Sequence, residues 1–490
     1  MKRLLVAGMG LVLVGGVVIP AVTPLGLDVA AAVPSAAMPF DFDGDGYADL
    51  AVAIPWEDLR GKRDAGAVQV LYGSAAGVTA RDQFWHQGSK GIKNKLEKKD
   101  RFGGAGPEPG DALASGDFDA DGYADLAIGV PYEDVGSIRD AGIVQVLYGS
   151  AKGLTARDQV WHQGKRGVPG SNERGDGFGY AVAAGDFDAD GYADLAIGSR
   201  EGRVLVLRGG PRGLTSSGSQ LLRPGRGGIP SQPTSGGFGS GLAVGDVNGD
   251  GHDDLAVAAF HQGAEGSCSA VHVLLGSTEG LTSIGTQYVT AVDLGMWPSS
   301  IFTLAFGDLN SDGRSDLVLA STSTAVLYGR VDGLHPAVLP SAGDVAPGVD
   351  ALWPFGGEDE DLGAPAAVGD LTGDGYPDLA VVDQVILGTA TGLGPGGTSS
   401  LDLKAFPSDV CRICEWGDIA VLPFSGGSHA WLAASHYVPP PGMPAGAGAV
   451  SVMRGRSNTE PGPATVWSQD SPGIKDAAEA GDGFGMGIGG

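Results

Sequence analysis

The chain has 490 residues, 86 of them Gly, with 42% hydrophobic and 18% charged residues and a formal charge of −27. No long stretch keeps an apolar 3.6-residue period free of Gly or Pro, which excludes a mainly helical protein and points to short strands and tight turns. The acidic balance excludes general nucleic-acid or anionic-membrane binding, both of which need basic surface.

In chain order, the first element is an export signal. Lys2 and Arg3 precede an apolar run from Leu4 to Ile19, and Ala30-Ala31-Ala32 offers a cleavage site, so residues 1–32 read as a signal peptide. An uncleaved anchor is the alternative, but the run is short for a bilayer span and is followed directly by Pro20. The mature chain, 33–490, is expected to be secreted, with no membrane insertion after cleavage.

A nine-residue loop then recurs six times, with an oxygen-bearing side chain at positions 1, 3, 5 and 9 and Gly at position 6. The first three copies carry Asp41, Asp43, Asp45 and Asp49; Asp117, Asp119, Asp121 and Asp125; and Asp186, Asp188, Asp190 and Asp194. The next two substitute Asn at position 3, giving Asp246, Asn248, Asp250 and Asp254, then Asp308, Asn310, Asp312 and Asp316. The sixth has Asp370, Thr372, Asp374 and Asp378. So many oxygens in so short a loop repel one another unless a cation lies among them, and all-oxygen donor sets suit Ca²⁺. The backbone carbonyl of position 7 completes each expected set: Tyr47, Tyr123, Tyr192, His252, Arg314 and Tyr376. Up to six Ca²⁺ are therefore expected, the copies with fewer charges binding at about 10⁻⁴ to 10⁻³ M. Plain Asx-turns without metal are the alternative. An EF-hand is excluded, because position 12 is apolar in every copy (Val52, Ile128, Ile197, Val257, Leu319, Val381) where that motif needs Glu.

Each loop runs into an apolar strand, and most follow a Phe-Gly or Phe-rich segment such as Phe178 to Gly185. A third strand such as Ala67 to Gly73 comes next, then a fourth that often ends in Trp, as at Trp85, Trp161 and Trp467. Four strands every sixty-odd residues make a propeller blade. A seventh copy, Ala420 to Ala433, has Pro423, Ser425, Gly427 and Trp431 at the loop positions, so this blade (411–470) should be metal-free. The first loop lacks a preceding Phe-Gly segment, while the last residues, Gly483 to Gly490, are such a segment without a loop. Blade one is therefore expected to be shared between 40–88 and 482–490, covering the edges of an otherwise open ring. The expected fold is all-β: a seven-bladed β-propeller of four-stranded antiparallel blades, leaving nothing of the mature chain for a separate catalytic domain.

Phe-Gly, then Gly-Asp-Phe-Asp-x-Asp-Gly-x-x-Asp-Leu-Ala-Ile-Gly, then Gly-x-Val-x-Val-Leu-Tyr-Gly, resembles the FG-GAP repeat of the integrin α-subunit β-propeller. The resemblance covers nearly all of 40–490, strongest in blades two to four. It implies calcium in the hairpin loops and a role in extracellular adhesion or recognition. Integrin leg domains, an inserted adhesion domain and a C-terminal membrane span are not seen in this chain. Nor is the separate catalytic domain of propeller-bearing phospholipases.

Cys411 and Cys414 form a C-x-x-C read as a local disulfide in preference to a redox pair, with Cys268 left over; zinc is disfavoured for want of a second ligand pair. The loops between strands two and three, and between blades, share the rim opposite the metal loops. There a basic insertion, Lys90, Lys93, Lys95, Lys98, Lys99 and Arg101, is joined by Lys62 and Arg63. A loop kept solvated by its charge is the first reading of this insertion; an anionic polysaccharide or a protein's acidic surface docking there is the suspected partner. Arg174-Gly175-Asp176 is read as a chance extension of the repeated Gly-Asp-Gly-Phe, and the Trp residues as packing. No G-x-S-x-G or H-E-x-x-H is present. The expected function is a monomeric calcium-binding recognition module, not an enzyme; a hydrolase or lyase at the central channel is the alternative.

Overall fold

Local sequence sets up each blade before packing completes it. The residue after the first loop Asp, at position 2, is Phe42, Phe118, Phe187, Val247, Leu309 or Leu371, and all six are buried. Each anchors its loop to the hydrophobic layer beneath, while alternating Val, Leu, Ile and Ala supply both faces of the following strand. In the second strand of blade one, Leu50–Ile54, every residue is buried. Such continuous apolar runs suit strands covered on both faces by neighbouring blades.

The computed structural model describes residues 37–489 apart from 105–111, 231–234, 337–364, 394–400, 403–417 and several shorter stretches. It is all-β, with seven blades of antiparallel strands. In blade two the order is Leu113–Gly116, Asp125–Val130, Ile143–Leu147, Asp158–Trp161, each pairing with the next. Blades three to seven repeat this order, blade four adding the short strand Ser235–Gly236 and blade six a satellite hairpin, Gly388–Thr389 with Gly392–Leu393. Blade one takes three strands from the beginning of the chain and its innermost from the end. Ile488 pairs with Val52 and Gly489 with Ala51, which closes the ring as the sequence suggests. The innermost strands touch in cyclic order, the C-terminal strand meeting both Leu113–Gly116 of blade two and Ile419–Leu422 of blade seven.

Gly stands at the outer end of the innermost strand because two blades meet there. A Cβ on Gly307 would collide with Val368, and one on Gly369 with Val421, each in the next blade. The Phe-Gly segments differ from expectation in one respect: they form the turn before the innermost strand, not its start. The N–H of Phe178 donates to the Ala141 carbonyl (3.0 Å), and Phe102 and Phe484 bond likewise to Ala65 (3.0 Å) and Ala447 (2.8 Å). Each turn thus staples its own blade to the one before it, with the buried Phe as the pin.

Among the described residues, no helix is long and apolar enough to cross a membrane. Residues 1–32, Cys411 and Cys414, and Ser425 and Gly427 of the seventh loop lie outside the described residues. Trp431 of that loop opens the strand Trp431–His436. Cys268 is buried, and its thiol donates to the Ser269 carbonyl (3.5 Å).

Candidate metal centres

The six loops share one hydrogen-bond scheme. The Asp at position 1 turns the chain around itself: Asp41 accepts from the N–H groups of Asp45 (3.0 Å) and Gly46 (2.9 Å). The same two bonds recur at Asp117, Asp186, Asp246, Asp308 and Asp370. Position 5 accepts from the N–H of position 7, as Asp45 does from Tyr47 (3.0 Å). Gly46 has φ +87° and Gly122 +90°, left-handed values that favour Gly and explain its place at position 6.

Position 9 does something the spacing alone does not reveal. Asp49 lies fully buried between two strands, accepting from Phe42 N–H (2.9 Å) on one oxygen and from Gly73 N–H (2.8 Å) on the other. Asp125 accepts from Phe118 (3.0 Å) and Gly149 (2.9 Å). The glycine after the third strand also donates to Asp194, Asp254, Asp316 and Asp378. This carboxylate therefore locks the loop to the third strand of its blade. In blade seven, where Trp431 replaces it, the N–H of Gly455 goes instead to the carbonyl of Ala430 (3.0 Å).

Burial, reinforced by the other loop carboxylates, pushes these position-9 groups upward: Asp49 and Asp194 to about 8, Asp125 to about 9, Asp254 and Asp316 to about 7, Asp378 to about 6. A nearby positive charge is the ordinary remedy for such crowding. Position 3 shows where one fits. Asp43 Oδ1, Asp119 Oδ1 and Asp188 Oδ1 are buried without a hydrogen-bond partner, as is Asp194 Oδ2. Within single loops, ligand oxygens of Asp41, Asp43 and Asp45, of Asp117, Asp119 and Asp125, and of Asp186, Asp188 and Asp190 lie within 4.8 Å of one another. Partnerless carboxylate oxygens converging on one space fit a hard divalent cation.

Asn248, Asn310 and Thr372 occupy the equivalent position in loops four to six. Asn248 donates to Asp250 (3.0 Å), and the Thr372 hydroxyl is buried and unpartnered. His252 and Arg314, at position 7, turn their side chains onto position 5: His252 Nδ1 lies 3.1 Å from Asp250, and Arg314 pairs with Asp312 at 3.3 Å.

On the opposite rim, Lys62, Arg63, Lys90, Lys95, Lys98 and Lys99 are exposed, and the Lys99 N–H bonds the Arg63 carbonyl (2.9 Å), bringing the two basic loops together. Lys93 is engaged within the wheel: its ammonium pairs with Asp158 of the next blade at 2.8 Å. Lys475 pairs with Asp82 in the same way (3.0 Å), so this pair is an inter-blade tie as well as a surface charge. Beneath the patch, Gln87 donates to the buried Glu133 (2.7 Å), which also hydrogen-bonds Asp100 and Asn94. Gln469 donates likewise to Glu57 (2.6 Å). Asp176 of the Arg-Gly-Asp tripeptide is buried and accepts from Glu173 N–H (2.6 Å), a structural role in line with its reading as part of a repeat. Trp85 and Trp161 pack into the blade cores.

These features define a β-propeller with carboxylate hairpin loops on one rim. The FG-GAP repeat model matches residues 28–71, 109–147 and 178–207, and the FG-GAP-like repeat model matches 246–319. FG-GAP repeats thus recur along this propeller, and the chain is similar in sequence to integrin alpha chains. It is 30% identical to chicken integrin alpha-V over 240 residues, 45% of this chain and 21% of that one. It is 32% identical to rat phosphatidylinositol-glycan-specific phospholipase D over 160 residues, 32% of this chain and 17% of that one. The aligned portion is thus about a fifth or less of these curated relatives. A solved rhamnogalacturonan lyase, YesW, covers 72% of this chain and 59% of its own at 11% identity, with a TM-score of 0.32, too loose a superposition to bear on function.

Proposed function

We propose that the protein is a secreted recognition module whose six loops bind Ca²⁺, stiffening one rim while the other presents insertions to a partner. The observation that carries this reading is the set of buried, partnerless carboxylate oxygens at Asp43, Asp119 and Asp188, each inside a loop of further carboxylates. In each loop the side chains at positions 1, 3, 5 and 9 and the carbonyl at position 7 would hold the ion. Bound Ca²⁺ supplies positive charge that offsets carboxylate repulsion; the chain's own residues do the rest. Position 1 shapes the turn, position 9 ties it to the third strand, and position 2 anchors it in the core.

The basic patch around Lys62, Arg63, Lys95, Lys98 and Lys99 is the proposed docking surface, for an anionic polysaccharide or an acidic protein face. An acidic chain with one local positive patch gives orientation to such an encounter. The innermost strands, such as Leu113–Gly116, Val182–Gly185 and Leu242–Gly245, carry Ala, Gly, Val, Leu and one Ser, which favours recognition over acid–base chemistry at the channel. Calcium titration after treatment with chelator tests the metal reading. A rise in melting temperature saturating by millimolar Ca²⁺ is expected; an unchanged melting temperature would overturn it.

A further inference from the structure

The position-3 carboxylates of the first three loops share a feature that the other loops lack. Each gives its second oxygen to an arginine: Asp43 to Arg81, Asp119 to Arg157, Asp188 to Arg208. The arginines do not come from one repeat position. Arg81 and Arg157 lie at the start of the fourth strand and stack on Tyr72 and Tyr148, each 3.9 Å from guanidinium carbon to ring centroid. Arg81 is held further by the carbonyl of Lys152 in the next blade (3.1 Å). Blade three has Arg208 where the others have that tyrosine, and it reaches the equivalent carboxylate from there, lying 3.7 Å from Asp194 as well. The same ion pair has been built twice from different places in the sequence.

The remaining loops complete the pattern. Where position 3 is Asn248, Asn310 or Thr372, the residues at the Arg81 position are Ile284, Ala337 and Gly396, and those at the Tyr72 position are Leu275, Tyr328 and Leu387. A fourth carboxylate thus occurs only with an arginine beside it. Four carboxylates and one guanidinium leave the same three net charges as the three carboxylates of loops four and six. Loop five goes one further, its Arg314 lying on Asp312.

We propose that Arg81, Arg157 and Arg208 are built-in counter-ions of the first three loops: they position the fourth carboxylate and cancel its charge, so that these loops stay formed without metal and bind Ca²⁺ no more tightly than the three-carboxylate loops. The inference rests on the loops being calcium sites. It replaces the expectation that loops one to three bind more tightly because they carry more charge.

The test compares R157Q, R157K and the double variant D119N/R157I, which transplants the Asn248 and Ile284 combination of blade four. Each is titrated with Ca²⁺ by calorimetry and unfolded with urea in EGTA. In R157Q, one site should tighten by about tenfold, because affinity follows ligand charge, and the EGTA midpoint should fall as the loop loses its counter-ion. R157K keeps the charge, and D119N/R157I removes both charges; both should match wild type in calcium affinity. The proposal is overturned if R157Q leaves the isotherm and the EGTA midpoint unchanged, if it abolishes a site, or if R157K behaves as R157Q, which would make the effect one of packing on Tyr148. A wild-type chain that takes up no Ca²⁺ would instead overturn the reading of the loops, and the EGTA midpoints would then decide the arginines on their own.

Discussion

Replacing Asp125 with Ala should cost the protein more in the absence of calcium than removing any other carboxylate of the second loop. Two buried N–H groups, of Phe118 and Gly149, now donate to it at 3.0 and 2.9 Å. Each buried donor left without a partner costs about 1–3 kcal/mol, giving about 2–6 kcal/mol for the pair. Asp125→Asn keeps one acceptor oxygen and should lose about half as much. Asp121→Ala frees only the exposed N–H of Tyr123 (3.1 Å) and should fall within about 0.5 kcal/mol of wild type. Urea unfolding in EGTA, followed by tryptophan fluorescence, should rank the midpoints Asp121→Ala, Asp125→Asn, Asp125→Ala from highest to lowest. Equal midpoints for Asp121→Ala and Asp125→Ala would refute the reasoning, because position 9 would then be a ligand and nothing more.

Burial and the neighbouring Glu133 push Asp100 up to about 8, and Glu133 is itself raised by burial. A raised carboxyl contributes stability that is full below its unfolded value near 4 and lost as pH climbs through its folded value. Thermal melts from pH 5 to 9 should therefore show an alkaline decline, to which the raised position-9 carboxyls also contribute, and Glu133→Gln should make it shallower. Phe484→Ala removes the buried pin of the C-terminal turn and should cost about 3–5 kcal/mol, read as a lower urea midpoint. Charge reversal of Lys95, Lys98 and Lys99 should lower the salt needed to elute the protein from immobilised heparin while leaving its melting temperature within about 2 °C.

Much of the architecture was legible because its signals are local and repeated. The loop spacing, the strands around it and the orphan Phe-Gly at the C-terminus are each contained within ten residues or so, and six near-copies reinforce one another. Position 9 was legible as a conserved spacing within this chain but not as a clamp, because its second partner lies at the end of the third strand, 24 residues away in blades one and two. The arginines were missed for the same reason: Arg81 is 38 residues from Asp43, and in blade three the role passes to a different strand. The buried Glu133, Gln87 and Asp100 group joins two blades, so neither blade's sequence announces it alone. Lys93 could be read only as a surface charge until the neighbouring blade placed Asp158 beside it.

The pairing of Ile488 with Val52 spans more than four hundred residues. Blade one is begun first on the ribosome and finished last, so the inner edge of Leu50–Ile54 waits unpaired through the synthesis of every other blade. Loop-closure entropy rises only slowly with length, so the delay matters less for final stability than for kinetics and for the exposure of a sticky edge to other nascent chains. Folding of this wheel should therefore end in a single slow docking step, and cell extracts should capture its incomplete form through that strand.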